Sequence, residues 1–523
     1  MGIEVVIEAR QESSSSRKPA GGPGGRSRGD QVGRVRAVLV GDLARANAKL
    51  YLAVFSAVLG NFNFGFSMVY TSSVIPHLLN STNPNLRMNN AQVAWFGSVY
   101  TLGVAFGGIS GMFLNDWLGR KLCIMMSAVP SVAGYAVMGS AQGVWMLLLG
   151  RILTGIAAGM TSASIPVYVS EISKPEVRGW LGSCPQITAV FGALSLYALG
   201  LGLPWRWLAV AGEVPTLLML VLLCFMPDSP CFLISKGRAE EAQRSLAWLR
   251  GAETDYMREF AEIDRSIKAQ GKISCTDLRN PFYYRPVLIT VLMRFLQQMT
   301  GITPILVYLE PIFNMTKVIL PGDYDAVIVA FVRLVAVIIA ATFMDKAGRK
   351  ILLFLSGFLM FLSTLTMSLY IHFSEDHSQP QPHHNSTQLL TDLLSQPHSM
   401  LSTGGQGLLT WIPLISTMVI IFGYAVGWGP ITWLLMSEIL PLGARGMASG
   451  LCVTVSWITA FVVTEVFMTV VNAYGLFVPF LFFAVVCVVN IIFTAVCVPE
   501  TKGRSLEEIE NYFRTGCTFS IDE

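Results

Sequence analysis

Long apolar runs separated by short polar connections dominate this chain. A run must reach about 20 residues to cross a hydrocarbon core of ~30 Å. Twelve runs do so, at roughly 48–74, 91–115, 121–140, 143–165, 183–203, 206–226, 285–310, 323–344, 351–372, 409–437, 446–471 and 475–498. The pattern predicts an all-α membrane protein of twelve transmembrane helices. Spans two and four carry Gly103, Gly107 and Gly111, then Gly155 and Gly159. Small residues four apart let helix backbones approach closely in lipid, so these glycines are expected to be packing positions.

The polar connections set the orientation. Lys and Arg concentrate in the tails and in the connections after even-numbered spans. The connections after odd-numbered spans hold only Arg87, Arg206 and Lys317. Both termini are therefore expected in the cytosol. Three Asn-x-Ser/Thr sequons begin at Asn80, Asn314 and Asn385, and all fall on the opposite side. Asn385 is the one far from the membrane and is the expected glycan site.

The polar motifs occur twice. Asp116-Trp-Leu-Gly-Arg120-Lys121 returns as Asp345-Lys-Ala-Gly-Arg349-Lys350. Ser170-Glu171-Ile172 with Arg178-Gly179 returns as Ser437-Glu438-Ile439 with Arg445-Gly446. Duplicated membrane half-units are a common plan of secondary transporters. Two pseudo-symmetric six-helix bundles follow, 46–227 and 285–498, with a cytosolic tail at 1–45 and another at 499–523. The tail 1–45 lacks a signal-peptide apolar core, is rich in Ser, Gly and Arg, and reads as disordered. Asp345 lies 229 residues after Asp116, but Glu438 lies 267 after Glu171, so the second copy holds 38 extra residues. They fall in an outer loop, 373–407. The histidines in and beside it (His372, His377, His383, His384 and His398) read as loop residues, with no metal site expected.

The connecting segment 228–284 is charged. Within it Ala242, Leu246 and Leu249 fall at helical spacing, which predicts a cytosolic helical linker too small for a catalytic domain.

Composition agrees. The chain of 523 residues is 53% hydrophobic and 13% charged, against about 25% charged in soluble proteins; its mean hydropathy is +0.56. A net charge of +3 gives no reason to expect a nucleic-acid partner. The nine cysteines are scattered without a CxxC, which excludes a disulfide framework or metal site. No Walker A motif is present, so ATP-driven transport is not expected. No nucleophile–base constellation marks an enzyme, and no cofactor is called for.

The motif charges come as acid with base: Asp116 with Arg120, Glu171 with Arg178, Asp345 with Arg349, Glu438 with Arg445. Such pairs at the membrane surface suit a cytosolic gate that must close and reopen. Arg151, Glu213 and Arg333 are charges within apolar spans. Arg333 is too deep to snorkel, and is expected to line a cavity or to pair with Glu213 or Glu465.

Together with Pro166-Val-Tyr-Val-Ser-Glu171, Gln297-Gln298-Met-Thr-Gly301, Gly427-Trp-Gly-Pro430-Ile-Thr-Trp433 and Pro499-Glu-Thr-Lys-Gly503, the repeated motifs resemble the sugar porters of the major facilitator superfamily. Within these the chain is similar to the facilitative hexose transporters. The long sequon-bearing loop between spans nine and ten resembles their class III branch. The likeness covers about residues 45–510. It implies the major facilitator fold and a monosaccharide site at mid-membrane between the halves. By resemblance, Gln186, Gln297, Gln298, Trp433 and Trp457 would bind the sugar, with Thr303 at the same site. The chemistry agrees: amides meet hydroxyls that donate and accept, and aromatics cover an apolar C–H face. Thr303, Val307, Ala425, Ser456, Arg333 and Cys231 depart from the family pattern, which leaves the preferred sugar open.

The resulting expectation is a uniporter that binds a monosaccharide, sits in the lipid bilayer and works as a monomer. A proton-coupled symporter and a non-transporting sugar sensor are the alternatives. Span one lacks an acid at Asn63–Met68, whereas Glu213 and Glu465 keep proton coupling open. The class resemblance points to endosomes or lysosomes, with the plasma membrane as the other location.

Overall fold

The computed structural model describes residues 28–502 except 175–176, 252–255, 270–280, 317–320, 377–408 and 441–444, together with 509, 512 and 513. The chain divides into Met1–Lys49 and Leu50–Glu523, and the architecture below is that of the larger unit. The first helix starts at Arg28, inside the stretch read from composition as a disordered tail. Asn385, four of the loop histidines and most of the loop 373–407 lie outside the described residues.

Each of the twelve apolar runs is helical. Spans one to six occupy Arg28–Leu79, Asn90–Trp117, Arg120–Met126 continuing as Ala128–Gly139, Val144–Ile172, Arg178–Gly200 and Trp205–Cys224. Span seven comprises Pro281–Met299, Ile302–Val307 and Leu309–Thr316, and spans eight and nine are Gly322–Ala347 and Arg349–Asp376. Span ten comprises Ile412–Val426 and Pro430–Ile439, and spans eleven and twelve are Arg445–Tyr474 and Phe477–Cys497. Ten of these helices qualify as membrane spans on length and apolarity alone; five and seven do not. Among the described residues there is no strand.

Spans two and four pack along most of their length, and their glycines explain why. A Cβ on Gly107 would lie 2.1 Å from the Ile156 carbonyl oxygen, and one on Gly159 2.3 Å from that of Val104. On Gly155 it would meet the Tyr100 carbonyl oxygen at 2.4 Å. The contacts are backbone against backbone, so no side chain can move aside.

The two halves meet along spans two with eleven and five with eight. The duplicated charged motifs share one end of the bundle. At the other end, hydrogen bonds join the halves. The Tyr308 hydroxyl donates to the Ala94 carbonyl at 3.2 Å, and the Tyr197 hydroxyl to that of Leu306 at 3.1 Å. The Ser98 hydroxyl donates to Glu465 at 2.6 Å, and the Glu310 N–H to Ser72 Oγ at 3.0 Å. Toward the motif end the seam is apolar: Gly450 faces the Met112 side chain, and Gly108 faces Val453.

The linker is helical at Pro230–Ser235, Ala239–Arg250 and Tyr256–Ala269. Ala242, Leu246 and Leu249 are fully buried, as their spacing predicts. Arg250 fastens the linker to span four. Its guanidinium donates to the Ile172 carbonyl at 2.8 Å and grips both oxygens of Glu259, at 2.7 and 2.8 Å.

Gly107→Leu should destabilise the protein by at least about 1–3 kcal/mol, the usual cost of overpacking. Gly182→Ala, where nothing lies within 4 Å, should not. Melting of the two variants in detergent tests this, and a Gly107→Leu melt equal to wild type would refute the backbone contact.

Candidate functional site

At the motif end each half ties the same knot. Arg120 donates to Glu171 at 2.9 Å in the first half, and Arg349 to Glu438 at 3.2 Å in the second. The expected pairing was Glu with the Arg seven residues on. Each Glu takes the Arg of the other motif, which binds the end of span four or ten to the start of three or nine. The side chains of Arg178, Arg445 and Asp345 lie outside the described residues. Asp116 does reach Arg120, at 3.8 Å, but is 83% exposed and adds little.

The knots extend to the end of each half. Ser229 donates to Glu171, and Thr501 donates to Glu438 at 2.7 Å. Asp228 accepts from the backbone of Ser229 and Lys121, and Glu500 from the backbone of Arg349 and Lys350. Each acid thus caps the N-terminus of a helix, where backbone N–H groups lack partners. Burial pushes the Asp228 carboxyl above the usual range, and these N–H bonds offset part of that rise.

Mid-bundle, spans seven and ten are broken. Gly301 ends the first part of span seven with φ +78°, and a Cβ there would strike the Phe483 ring at 2.2 Å. Span ten breaks at Gly427–Gly429. Breaking a helix frees carbonyls that must find donors within the protein. Gln297 supplies them. Its amide nitrogen donates to the Trp428 carbonyl at 2.7 Å and to the Tyr424 hydroxyl oxygen at 2.9 Å. Its oxygen accepts from Arg294, so both ends of the side chain are engaged.

Gln298, next along, is held by two residues that depart from the family pattern. Its amide nitrogen donates to Ser456 Oγ at 3.0 Å, and Thr303 Oγ1 donates to its oxygen at 2.7 Å. Trp457 is buried against Phe64 of span one, ring centroids 5.7 Å apart, and its indole N–H has no partner among the described residues. Trp433 lies under the Arg294 guanidinium, 3.9 Å from it. Gln186, on span five, is partly exposed, and no hydrogen bond joins it to the other candidates. The structure therefore gathers Gln297, Gln298, Thr303, Trp433 and Trp457 around the two breaks, and leaves Gln186 on the facing half.

Arg294 escaped the sequence reading. The signal was available: an arginine inside an apolar run, one helical turn before Gln297. Fully buried, it bonds Gln297 and, at 3.3 Å, Thr432.

The charges within spans resolve as follows. Arg151 is fully buried, 4.3 Å over the Tyr100 ring, and donates to the Ser67 carbonyl at 2.5 Å. Glu213 accepts from Ser131 at 3.2 Å, in a network where Asn63 donates to Ser131 and Thr216, and accepts from Tyr135. Glu465 takes Ser98. Neither acid pairs with Arg333, contrary to one expectation; each is held by a hydroxyl. Arg333 instead lines a narrow cavity between the halves with Tyr197, Leu306, Leu309 and Ile421, which agrees with the other. Among the described residues, no group of three or more His, Cys, Asp or Glu could hold a metal ion.

The profile of the family described as "Sugar (and other) transporter" matches residues 53–513. The chain belongs to that family. It is 59% identical over 485 residues to the human "Solute carrier family 2, facilitated glucose transporter member 6", covering 91% of this chain and 94% of the relative. It is 40% identical to member 8 from Bos taurus, over 90% of this chain and 96% of the relative. It is 32% identical to the facilitated trehalose transporter Tret1 of Apis mellifera ligustica, over 88% of each. The solved proton:xylose symporter XylE, bound to 6-bromo-6-deoxy-D-glucose, superposes with a TM-score of 0.71 at 22% identity, over 89% of this chain and 99% of that one. That likeness establishes the major facilitator fold of twelve helices in two six-helix bundles. This sugar transporter is thus a multi-pass membrane protein and not an enzyme.

The knots predict a specific pattern of stability. Arg120→Ala should cost about 3–5 kcal/mol, because Glu171 is left largely buried without its counter-charge. The double variant Arg120→Met/Glu171→Leu should recover more than half of that loss. A double variant as unstable as the two singles added together would show that the pair acts independently.

Proposed function

We propose that this sugar transporter is a hexose uniporter working by alternating access. The observation that carries the reading is the chemistry around the two helix breaks. Amides, hydroxyls and indoles gather there, the Arg294 guanidinium among them is taken up by Gln297, Thr432 and the Trp433 ring, and the span carboxylates Glu213 and Glu465 bond hydroxyls elsewhere. Neutral groups exchange hydrogen bonds with sugar hydroxyls without holding the sugar as an ion. Trp457, with an unused indole N–H, Trp433, Gln298 and Thr303 would form the second half's side of the site. Gln186 would contribute from the first, and Gln297 would act mainly by holding the broken span ten in place. Relatives named as facilitated glucose transporters support a hexose as substrate; the trehalose transporters keep a disaccharide in view.

With both termini in the cytosol, the motif end faces the cytosol. In this reading the far-end hydrogen bonds support a conformation closed to the exterior. The knots would keep each half rigid while the seam between them opens. A monomer suffices for this, because the path lies between the halves of one chain. Asn385 would carry a glycan on the outer face. Endosomes, lysosomes or the plasma membrane remain the candidate locations.

The test is flux in proteoliposomes. Labelled glucose should equilibrate without accumulating, whether or not a pH gradient is imposed. Accumulation above equilibrium that follows the gradient would replace uniport by proton symport, with the Asn63–Ser131–Glu213 network as the place to look. Binding without flux would leave a sensor. Gln186→Ala should raise the half-saturating sugar concentration by roughly tenfold, the loss of about one well-made hydrogen bond. Its melting temperature should not change, because Gln186 holds no other element in place.

A further inference from the structure

Arg333 poses a problem that the sugar site does not solve. It lies eleven residues into span eight, which starts at Gly322, and is only 9% exposed. Among the described residues it makes no hydrogen bond and no salt bridge. Among the described residues, none of the groups around it bonds it, although both carboxylate oxygens of Asp325 are themselves buried without a partner. Tyr197 gives its hydroxyl to the Leu306 carbonyl. The Glu310 backbone N–H donates to Ser72 of span one, and its carboxylate is held by Ser73. Asp325 stands on the same helix, eight residues or about 12 Å along the axis. A guanidinium buried in a membrane without a counter-charge is costly, and such residues mark substrate paths.

The cavity it lines draws walls from both halves: Val190, Ala193 and Tyr197 from span five, and Leu306, Val329 and Ile421 from the second half. Apart from the Arg333 head and the Tyr197 ring, those walls are apolar. In this conformation the space admits about one water-sized group, such as a carboxylate oxygen, and not a sugar ring. The cavity is also linked to the sugar site. The Tyr424 phenol stands in the electrostatic range of both Arg333 and Arg294, and its hydroxyl bonds Gln297. Arg294 likewise has no carboxylate partner among the described residues. Two arginines of the second half thus flank one tyrosine beside the broken helices.

Resting on the reading of a sugar transporter, we infer that the preferred substrate is a hexose carrying an oxyanion, a carboxylate or a phosphate, which Arg333 receives as a counter-charge. The planar fork of a guanidinium matches either group with two parallel bonds. The neutral amides and indoles around the helix breaks then hold the ring, and Arg333 reads the substituent. A neutral hexose still fits the ring site but leaves the guanidinium unpaired.

Purified protein and proteoliposomes test this with three probes of one shape: D-glucuronate, its neutral amide D-glucuronamide, and glucose 6-phosphate. Each competes against labelled glucose in counterflow, and each is also scored by thermal stabilisation of the purified protein. Glucuronate or glucose 6-phosphate should compete at least about tenfold better than glucuronamide, the usual gain of a charge-assisted hydrogen bond; which of the two is stronger identifies the oxyanion. Arg333→Gln should bring that ratio close to one, and Arg333→Lys, which keeps the charge but loses the fork, should retain only part of it. Equal competition by glucuronate, glucose 6-phosphate and glucuronamide overturns the inference, as does a preference that survives in Arg333→Gln. If labelled glucose shows no counterflow, uniport of glucose fails, and thermal stabilisation by the three probes still decides the role of Arg333. Absence of any stabilisation overturns it as well.

Discussion

The arginine–glutamate knot at the motif end is the interaction on which the two bodies of this transporter depend. Arg120 with Glu171, and Arg349 with Glu438, each bind helices distant in sequence within one half. Both pairs are largely buried, so the Coulomb attraction is stronger than at an exposed site. Burial alone would make such pairs a burden. Here the glutamate's second oxygen is taken by Ser229 or Thr501. The nearby helix starts are capped by Asp228 and Glu500. With their partners in place the charges act as fasteners, and each six-helix body becomes a unit.

Rigid bodies need a soft place between them for binding, and the breaks in spans seven and ten provide it. A helix in lipid can be interrupted only where other protein groups satisfy the freed backbone. Gln297 meets that condition for span ten; in span seven the turn bonds itself, the Gly301 N–H donating to the Gln298 carbonyl at 3.1 Å, and only a residue without Cβ fits there against Phe483. The same geometry leaves a neighbouring amide, Gln298, held by two hydroxyls, and a buried indole N–H, Trp457, without a partner among the described residues, beside Phe64 of the first half. Adjacent glutamines that look alike in the sequence thus differ in kind. Gln297 completes the fold, and Gln298 sits between two hydroxyls that can exchange with a ligand.

The twelve spans were legible in the sequence because apolar length is a direct consequence of bilayer thickness. The packing role of Gly107 and Gly159 and the buried stripe Ala242–Leu246–Leu249 were legible because their periodicity reports which face is covered. The pairing of the motif charges was not. Sequence spacing does not bring Arg120 to Glu171, because it comes from a helix that only tertiary packing brings close. Arg294 was passed over for a related reason: one charge in an apolar run carries no information about what lies above it, and Trp433 is 139 residues away. Arg333 was visible as an anomaly, but whether it pairs or lines a cavity depends on where Glu213 and Glu465 point.

The contrast between the knots and the seam accounts for motion. Within each half the ties are charged, buried and multiply bonded. Between the halves at the far end they are tyrosine and serine hydroxyls on two carbonyls and one carboxylate, and a backbone N–H on the Ser72 hydroxyl. A hydrogen bond of that sort contributes about 1 kcal/mol net, so the Tyr308, Tyr197, Ser98 and Ser72 contacts together amount to only a few kcal/mol. An energy gap of that size leaves a second state populated at the level of roughly 0.1–10%. Apolar packing of Met112 and Val453 against Gly450 and Gly108 continues the seam toward the motif end, and it can slide without breaking ions. A sugar that gains a few hydrogen bonds at the helix breaks is then enough to shift the balance. Strong charge pairs confined within each half, and weak neutral contacts between them, let the bodies rock without coming apart.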